Sequence, residues 1–212
     1  MSSLSYLHRF EPGVDPAAPP LLLLHGTGGD ENDLIPIGQK LSPGSALLSL
    51  RGDVLEHGQP RFFRRFAEGV FDLADVEKRT HALADFVAAV AQRYGFAPAR
   101  LVALGFSNGA NIAASLLLLR PETLAGAVLL RPMVVLEPAE IPDLSGKVVL
   151  ISSSKADPIV PNDHPVRLAQ MLRAAGASVT LHTHAAGHGL TPADFAAARE
   201  FLAQRQLPPG PE

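Results

Sequence analysis

The sequence predicts an α/β protein in which helices cover both faces of a mostly parallel central sheet. Short apolar runs bounded by Gly, Pro and Asp recur along the chain, as in the run LLLL at residues 21–24. Several of the segments between these runs have the spacing of an amphipathic helix. Apolar strands that alternate with helices are typical of a parallel sheet buried on both sides.

Seven segments are predicted to form the strands of this sheet. Each is short and apolar, and each is bounded by residues that favour turns. They lie near residues 4–10, 21–25, 46–50, 101–105, 125–130, 148–152 and 178–182.

Four helices are predicted, and the clearest spans residues 76–94 and stops at Gly95. A second helix follows Ser107, and a third spans residues 165–175 before Gly176. The last helix has Thr191 as its N-cap and Pro192 in its first turn. In the first helix the apolar residues that share one face are Val76, Leu83, Phe86, Val87, Val90 and Tyr94.

Composition favours one domain over residues 1–212, with a frayed tail at residues 207–212. The chain is 47% hydrophobic and 18% charged, enough for one sizeable core. Its formal net charge of −3, without a long run of one sign, gives no indication of a nucleic-acid groove or a polybasic membrane surface. The expected partner is therefore a small molecule, and the oligomeric state stays open between a monomer and a homodimer.

The chain contains no cysteine, which excludes disulfides, thiolate metal sites and thiol nucleophiles. Any nucleophile must be an oxygen or an amine. The N-terminus lacks the basic and apolar regions of a signal peptide, and no apolar run approaches the roughly 20 residues that span a bilayer. We therefore expect a cytoplasmic protein without membrane insertion.

Ser107 lies between two glycines in GFSNG, which matches the pattern G-x-S-x-G. The motif follows a predicted strand and precedes a predicted helix, which is the context of a nucleophile elbow. In so sharp a turn, side chains at Gly105 and Gly109 would clash with neighbouring backbone. The alternative is an ordinary turn in which Ser107 is only a helix N-cap.

Later strand ends supply the partners that an activated serine needs. Asp157 follows the strong strand in VVLISSSKADPIVP, and His188 lies in a glycine-flanked loop after the next strand. Enzymes with a nucleophile elbow between a strand and a helix have their serine, acid and histidine in this chain order, which here is Ser107, Asp157, His188. The open alternatives are Asp143 or Asp163 as the acid, His184 as the base, and a metal site formed by His182, His184 and His188.

Two backbone N–H groups are expected to stabilise a developing oxyanion. The N–H of Asn108 directly follows the nucleophile, and the N–H of Thr27 lies in the glycine-rich loop HGTGGDEND after an earlier strand. His25 in this loop is interpreted as a structural residue. A phosphate-binding loop is the weaker alternative, because neither phosphate-binding glycine motif is present.

Four segments together carry a family resemblance: HGTGGDE, GFSNGA, KADPIVP and GHGL occur in this order along nearly the whole chain. They resemble the α/β-hydrolase superfamily, specifically its small phospholipase/carboxylesterase branch of bacterial carboxylesterases, acyl-protein thioesterases and lysophospholipases. The resemblance implies an α/β-hydrolase fold with Ser107, Asp157 and His188 as a catalytic triad. Asn108 stands where acyl-protein thioesterases commonly have glutamine. Dienelactone hydrolases are similar in fold, but with a cysteine nucleophile that this chain lacks.

The segment GQPRFFRRFAEGVFD, residues 58–72, resembles a segment that borders the active site in bacterial esterases of this branch. Its phenylalanines and interleaved arginines are expected to form an apolar pocket with a cation near its mouth. The alternative is that the rings are core residues and the arginines form surface ion pairs. The predicted pocket residues are Phe62, Phe63, Arg64 and Phe66, with Arg61, Arg65 and Phe71 in the same segment.

The expected activity is hydrolysis of carboxylic esters through an acyl-enzyme on Ser107, without a cofactor or metal. Residues 131–147, between two predicted strands, are too few for a cap domain, so we expect an open site for small soluble esters. The same residues also suit an acyl thioesterase, a lysophospholipase or a small amidase. A non-catalytic binding module with this fold is the remaining alternative.

Overall fold

The computed structural model describes residues 6–204, and a seven-stranded sheet forms their centre. The strand order is β1-β3-β2-β8-β9-β10-β11, with β1 antiparallel to β3 and the other neighbours parallel. The strands are β1 (His8–Glu11), β2 (Leu21–Leu24), β3 (Leu47–Leu50), β8 (Val102–Phe106), β9 (Gly126–Leu130), β10 (Val148–Ser154) and β11 (Ser178–His184). All seven predicted strands are present, and the mostly parallel sheet is confirmed.

Helices cover both faces of the sheet, as expected for strands that are apolar on both sides. The helices are α1 (Ile35–Leu41), α2 (Leu73–Tyr94), α3 (Asn108–Leu119), α4 (His164–Ala174) and α5 (Pro192–Ala203). One core cluster joins α2, α3 and α4 to the sheet, and a second joins α1 and α5 to its other face. All four leucines of β2 are fully buried because they contribute alternately to the two clusters.

The structure confirms Gly95 and Thr191 as helix ends, and it adds Asp72, which was not predicted as a cap. Asp72 caps α2 by accepting from the Asp75 N–H, and Gly95 ends the helix with a φ of 74°. Thr191 caps α5 through a capping box in which it accepts from the Asp194 N–H and the Asp194 carboxylate accepts from the Thr191 N–H. Both helices therefore begin at the residues that the sequence indicates, within three positions.

Some elements were not predicted because they are too short to show periodicity. Helix α1 has only 7 residues and contains Gly38. Two small hairpins follow β3: β4 (Val54–Glu56) pairs with β5 (Gln59–Arg61), and β6 (Arg65–Ala67) pairs with β7 (Val70–Phe71). Short 3₁₀ turns span Pro98–Arg100 and Pro121–Thr123. The first residues of the predicted strand at 4–10 and the predicted frayed tail lie outside the described residues.

Nothing larger than a loop covers the carboxyl edge between β9 and β10. Residues 131–147, all described, contain neither helix nor strand, so the expected lack of a cap domain is confirmed. Among residues 6–204, none of the helices combines the length and apolarity needed to cross a membrane.

Candidate active site

Ser107 occupies a strained turn between β8 and α3. Its φ of 52° and ψ of −112° are rare for a residue with a side chain. A Cβ on Gly105 would lie 2.5 Å from the Gly109 oxygen, and a Cβ on Gly109 would lie 1.9 Å from the Leu24 oxygen. The two glycines are thus required by close backbone approach, which holds Ser107 at the carboxyl edge of the sheet.

A continuous chain of hydrogen bonds joins the three residues singled out from the sequence. The Ser107 Oγ lies 3.0 Å from His188 Nε2, and His188 Nδ1 lies 2.8 Å from Asp157 Oδ2. The loops after β8, β10 and β11 supply one residue each, although 81 positions separate Ser107 from His188. The parallel sheet brings them together because the carboxyl ends of its strands share one edge.

The Asp157 carboxylate is ionised at neutral pH. Burial opposes its ionisation, but hydrogen bonds from the Ile159 N–H, from His188 and from the Val160 N–H outweigh that effect and hold the pKa of Asp157 below its ordinary value. An ionised carboxylate only accepts hydrogen bonds, so the Nδ1 of His188 carries the proton that Asp157 receives. The Nε2 of a neutral His188 is then free to accept the Ser107 hydroxyl proton.

The alternative acids and the alternative base lie in other contacts. Asp143 accepts from the Ser145 N–H, and Asp163 is ion-paired with Arg167 at 3.6 Å. His184 Nε2 lies 3.1 Å from Ser152 Oγ, in a network that does not include Ser107. Within residues 6–204, no three His, Asp or Glu side chains are grouped so that they could hold a metal ion.

The glycine-rich loop after β2 lies beside Ser107. Thr27 and Asn108 both line the cavity that contains Ser107 and His188. Their backbone N–H groups donate no hydrogen bond within the described part of the chain. An oxyanion site requires unpaired N–H groups, and both of these residues border the cavity beside Ser107.

His25 holds this loop in place and is neutral. Its Nδ1 donates to the Gly26 oxygen at 2.6 Å, and its Nε2 accepts from the Gly52 N–H at 2.9 Å. Burial lowers the pKa of His25 below its ordinary value, against the smaller opposing effect of the Gly26 hydrogen bond. The interpretation of His25 as a structural residue agrees with these contacts.

The segment 60–62, which we call the strap, contacts both residues with the unpaired N–H groups. Arg61 Nη1 donates to Thr27 Oγ1 at 2.6 Å, and the Phe62 N–H donates to Asn108 Oδ1 at 2.8 Å. The Pro60 oxygen also accepts from the Gly28 N–H at 3.0 Å. One short stretch of chain therefore fixes the position of Thr27 relative to Asn108.

A cavity of about 280 Å³ opens beside Ser107. Its apolar wall consists of Phe71, Phe106, Met133 and Ile159. Its polar wall consists of Thr27, Gln59, Arg61, Arg65, Glu68, Asn108 and Asn111, with Ser107 and His188 at one end. A larger cavity of about 440 Å³ lies at the amino ends of β2 and β3 and contains none of these residues, so it is not part of this site.

None of the four predicted pocket residues is among those that line the cavity, and this part of the prediction is corrected. Phe62 and Phe63 are 1% and 0% exposed because their rings pack into the core. Arg64 points away to an ion pair with Asp72, and Phe66 is 75% exposed on the β6–β7 hairpin.

Five residues of the same segment line the cavity instead, and they are Gln59, Arg61, Arg65, Glu68 and Phe71. Glu56 forms ion pairs with both arginines, at 3.2 Å from Arg61 and 3.0 Å from Arg65. Gln59 and Arg61 are two positions apart in β5 and both reach the cavity, as strand alternation requires. This alternation could identify Gln59 and Arg61 as cavity residues only once residues 59–61 were known to form a strand.

Comparisons with known proteins agree with the α/β fold of the structure and with the hydrolase activity expected from the sequence. The dienelactone hydrolase family matches residues 53–203. A Bacillus subtilis (strain 168) protein named "Putative hydrolase MhqD" is 44% identical over 194 residues, which are 92% of this chain and 96% of that protein.

Two crystal structures of bacterial carboxylesterases superpose on the whole fold. The carboxylesterase of Bacillus cereus is 44% identical with a TM-score of 0.93, and the match covers 96% of each chain. The carboxylesterase of Mesorhizobium loti is 32% identical with a TM-score of 0.89, and the match covers 100% of this chain and 98% of that one.

The family match contains Ser107, Asp157 and His188 and spans more than half of the chain. The chain has no cysteine, and the turn between β8 and α3 carries Ser107. The molecule is a hydrolase of the dienelactone hydrolase and carboxylesterase type with the α/β-hydrolase fold. The chain belongs to the dienelactone hydrolase family.

Proposed function

We propose that the protein is a carboxylesterase for small soluble esters, with Ser107 as nucleophile, His188 as general base and Asp157 as the residue that orients His188. The observation that carries the proposal is the hydrogen-bonded chain from Ser107 Oγ through both ring nitrogens of His188 to Asp157. A serine hydroxyl is a weak nucleophile until a base within hydrogen-bond reach takes its proton. The likeness to the Bacillus cereus carboxylesterase supports the same reaction class.

In the first step, Ser107 Oγ attacks the ester carbonyl carbon while its proton passes to His188 Nε2. Asp157 stabilises the resulting imidazolium through the hydrogen bond to Nδ1. The carbonyl oxygen becomes an oxyanion, and the N–H groups of Thr27 and Asn108 donate to it. The tetrahedral intermediate then expels the alcohol, which takes the proton from His188 and leaves the acyl group on Ser107.

In the second step, water attacks the acyl-enzyme. His188 Nε2 accepts a proton from the water molecule as its oxygen bonds to the carbonyl carbon, and the same oxyanion contacts form again. When the second intermediate collapses, the proton returns to Ser107 Oγ and the carboxylic acid leaves. Each turnover consumes one ester and one water molecule and restores the neutral Ser107–His188 pair.

The dimensions of the site favour small substrates. The cavity of about 280 Å³ lies just below the roughly 300–1,000 Å³ typical of ligand pockets. Its apolar wall suits a short acyl chain, and the loop between β9 and β10 carries no helix that would close over a long one. We therefore expect kcat/KM to fall as the acyl chain of a p-nitrophenyl ester is lengthened from acetate to octanoate.

Labelling with a fluorophosphonate tests the proposal directly. We expect one adduct per molecule by intact mass, located on Ser107 by peptide mapping, and none on Ser107→Ala. Labelling and ester hydrolysis of His188→Ala should both slow by on the order of 10³-fold or more. Ser145→Ala and His81→Ala, which change an exposed loop serine and an exposed histidine of α2, are the matched controls and should react like the wild type.

Two outcomes would contradict the proposal. The first is folded wild-type protein that hydrolyses no ester and takes up no label, which favours a binding module. The second is an adduct that maps to a residue other than Ser107. The kcat/KM for an ester should also be compared with that for a thioester and an amide with the same acyl group. A higher kcat/KM for the thioester or the amide would reassign the substrate class.

A further inference from the structure

Arg131 is a fully buried cation next to the site. It directly follows β9, and its φ of 58° is unusual for a residue with a side chain. Its guanidinium and the Asp194 carboxylate are both 0% exposed and form two hydrogen bonds, of 2.7 and 2.8 Å. Asp194 is fixed in turn by the capping box of α5 and by the Ser152 hydroxyl at 2.6 Å.

The remaining donors of Arg131 hold the main chain on both sides of His188. Nη2 donates to the Gly189 oxygen at 3.1 Å, and Nε lies 3.4 Å from the Gly187 oxygen. Nη1 also lies 3.3 Å from the Ser152 oxygen, at the end of the neighbouring strand. The guanidinium therefore links β10, the His188 loop and the start of α5.

Within residues 6–204, Arg131 is the side chain that hydrogen-bonds the carbonyl oxygens of these two glycines. A Cβ built at Gly187 or at Gly189 would meet no atom within 4 Å, so both glycines have open space on that side. Glycine has more backbone freedom than any other residue, and a loop with two of them around one histidine has a weak conformational preference of its own. The hydrogen bonds from Arg131 restrict that freedom.

We propose that Arg131 is a positioning residue for the proposed general base. By binding the carbonyl groups on both sides of His188, it keeps His188 Nε2 within 3.0 Å of Ser107 Oγ while Nδ1 stays on Asp157. Arg131 is not among the residues that line the cavity, so it acts through His188 and not on the substrate. This inference rests on the proposed function of Ser107 and His188.

Arg131→Lys is the main test. Lysine keeps the positive charge beside Asp194, but its single nitrogen cannot bind both carboxylate oxygens and both carbonyl groups at once. Fluorophosphonate labelling counts the competent sites, and ester kinetics then give kcat per competent site and KM. We expect kcat per site to fall by about 100-fold with KM unchanged, because small displacements of a catalytic group cost about that much.

The control is Leu172→Ala, a substitution of a fully buried residue of α4 that also destabilises the fold. It should reduce the number of competent sites on warming but leave kcat per site at the wild-type value. If Arg131→Lys gives too little folded protein, Asp194→Asn serves instead, because it keeps the guanidinium but weakens its attachment. The same fall in kcat per site is expected.

Stiffening the loop should rescue the lysine variant. Alanine at both Gly187 and Gly189 fits without a clash and narrows the backbone freedom of the loop, so kcat per site should recover by about 4- to 30-fold. A residue with only a structural role would not respond in this way. Arg131→Lys with wild-type kcat per site would overturn the inference, whereas a wild-type protein that takes up no label would refute the proposed function itself.

Discussion

The substitution Asp157→Asn should disable the site through the tautomer of His188. The two oxygens of Asp157 have different partners: Oδ1 accepts from the N–H groups of Ile159 and Val160 at 2.8 and 3.1 Å, and Oδ2 accepts from His188 Nδ1. In asparagine only the oxygen can accept from the two backbone donors, so the NH₂ group must face His188. Nδ1 then becomes the acceptor, Nε2 carries the proton, and Ser107 has no base.

The size of the effect follows from the cost of turning the amide round. The catalytic tautomer returns only if the oxygen faces His188, which leaves the N–H groups of Ile159 and Val160 without an acceptor. A buried donor without a partner costs about 1–3 kcal/mol, so two cost about 2–6 kcal/mol. At about 1.36 kcal/mol per factor of ten, the competent fraction falls by about 30- to 26,000-fold.

The assay is p-nitrophenyl acetate hydrolysis with the rate of fluorophosphonate labelling measured in parallel. Both rates should fall together, and KM should stay unchanged because Asp157 is not among the residues that line the cavity. Asp143→Asn and Asp163→Asn remove the charge of the two other candidate acids and should leave both rates at the wild-type value. A kcat for Asp157→Asn within ten-fold of wild type, or an equal loss in either control, would refute the reasoning.

Two further predictions concern the strap and the buried ion pair. Arg61→Met removes the charged hydrogen bond to Thr27, which is worth about 1.5–3 kcal/mol. The kcat in the ester assay should therefore fall by about 10- to 100-fold. The control Arg64→Met changes an exposed ion pair and should leave kcat unchanged. Asp194→Asn leaves the buried charge of Arg131 without its partner and should lower the free energy of unfolding at pH 7 by about 3–5 kcal/mol in urea titrations. Burial alone would raise the pKa of Asp194, but its hydrogen bonds, above all to Arg131, hold that pKa below the ordinary value of about 3.9. The stability contributed by the Arg131–Asp194 ion pair is therefore present above about pH 4 and is lost as the pH falls further. The difference between wild type and Asp194→Asn should therefore shrink in acid, and a constant difference from pH 7 to pH 3 would contradict the assignment.

The central sheet and the residues of the proposed triad were predictable because local patterns determine both. The apolar run of β2 and the strand before Asp157 are recognisable without knowledge of their neighbours. The carboxyl ends of parallel strands meet at one edge, so a serine elbow, an acid and a glycine-flanked histidine in that order are brought together by topology alone. The hydrogen bonds of His188 to Ser107 and Asp157 are the geometric result.

The cavity wall was not predictable in the same way. Residues 54–71 form two hairpins with strands of two or three residues, too short for an alternating pattern to show which side chains face inward. Phe62 and Phe63 lie just after β5, where the chain turns toward the core, and Arg61 takes the place at the cavity that the sequence suggested for them. Composition indicated the correct segment, but the fold selects its individual residues.

Arg131 was missed because its partner is 63 residues away in the chain and its burial follows from the end of β9. The same strand end also holds Ser107, since the Ser107 N–H donates to the oxygen of Leu130 at 2.8 Å. Ser107 and Arg131 both have positive φ, and strain of this kind persists only where the surroundings impose it. Leu130 binds the main chain at Ser107, and Arg131 binds the main chain on both sides of His188. Two consecutive residues at one strand end therefore contact the main chain at Ser107 and around His188, so the positioning proposed for Arg131 bears on both members of the Ser107–His188 hydrogen bond.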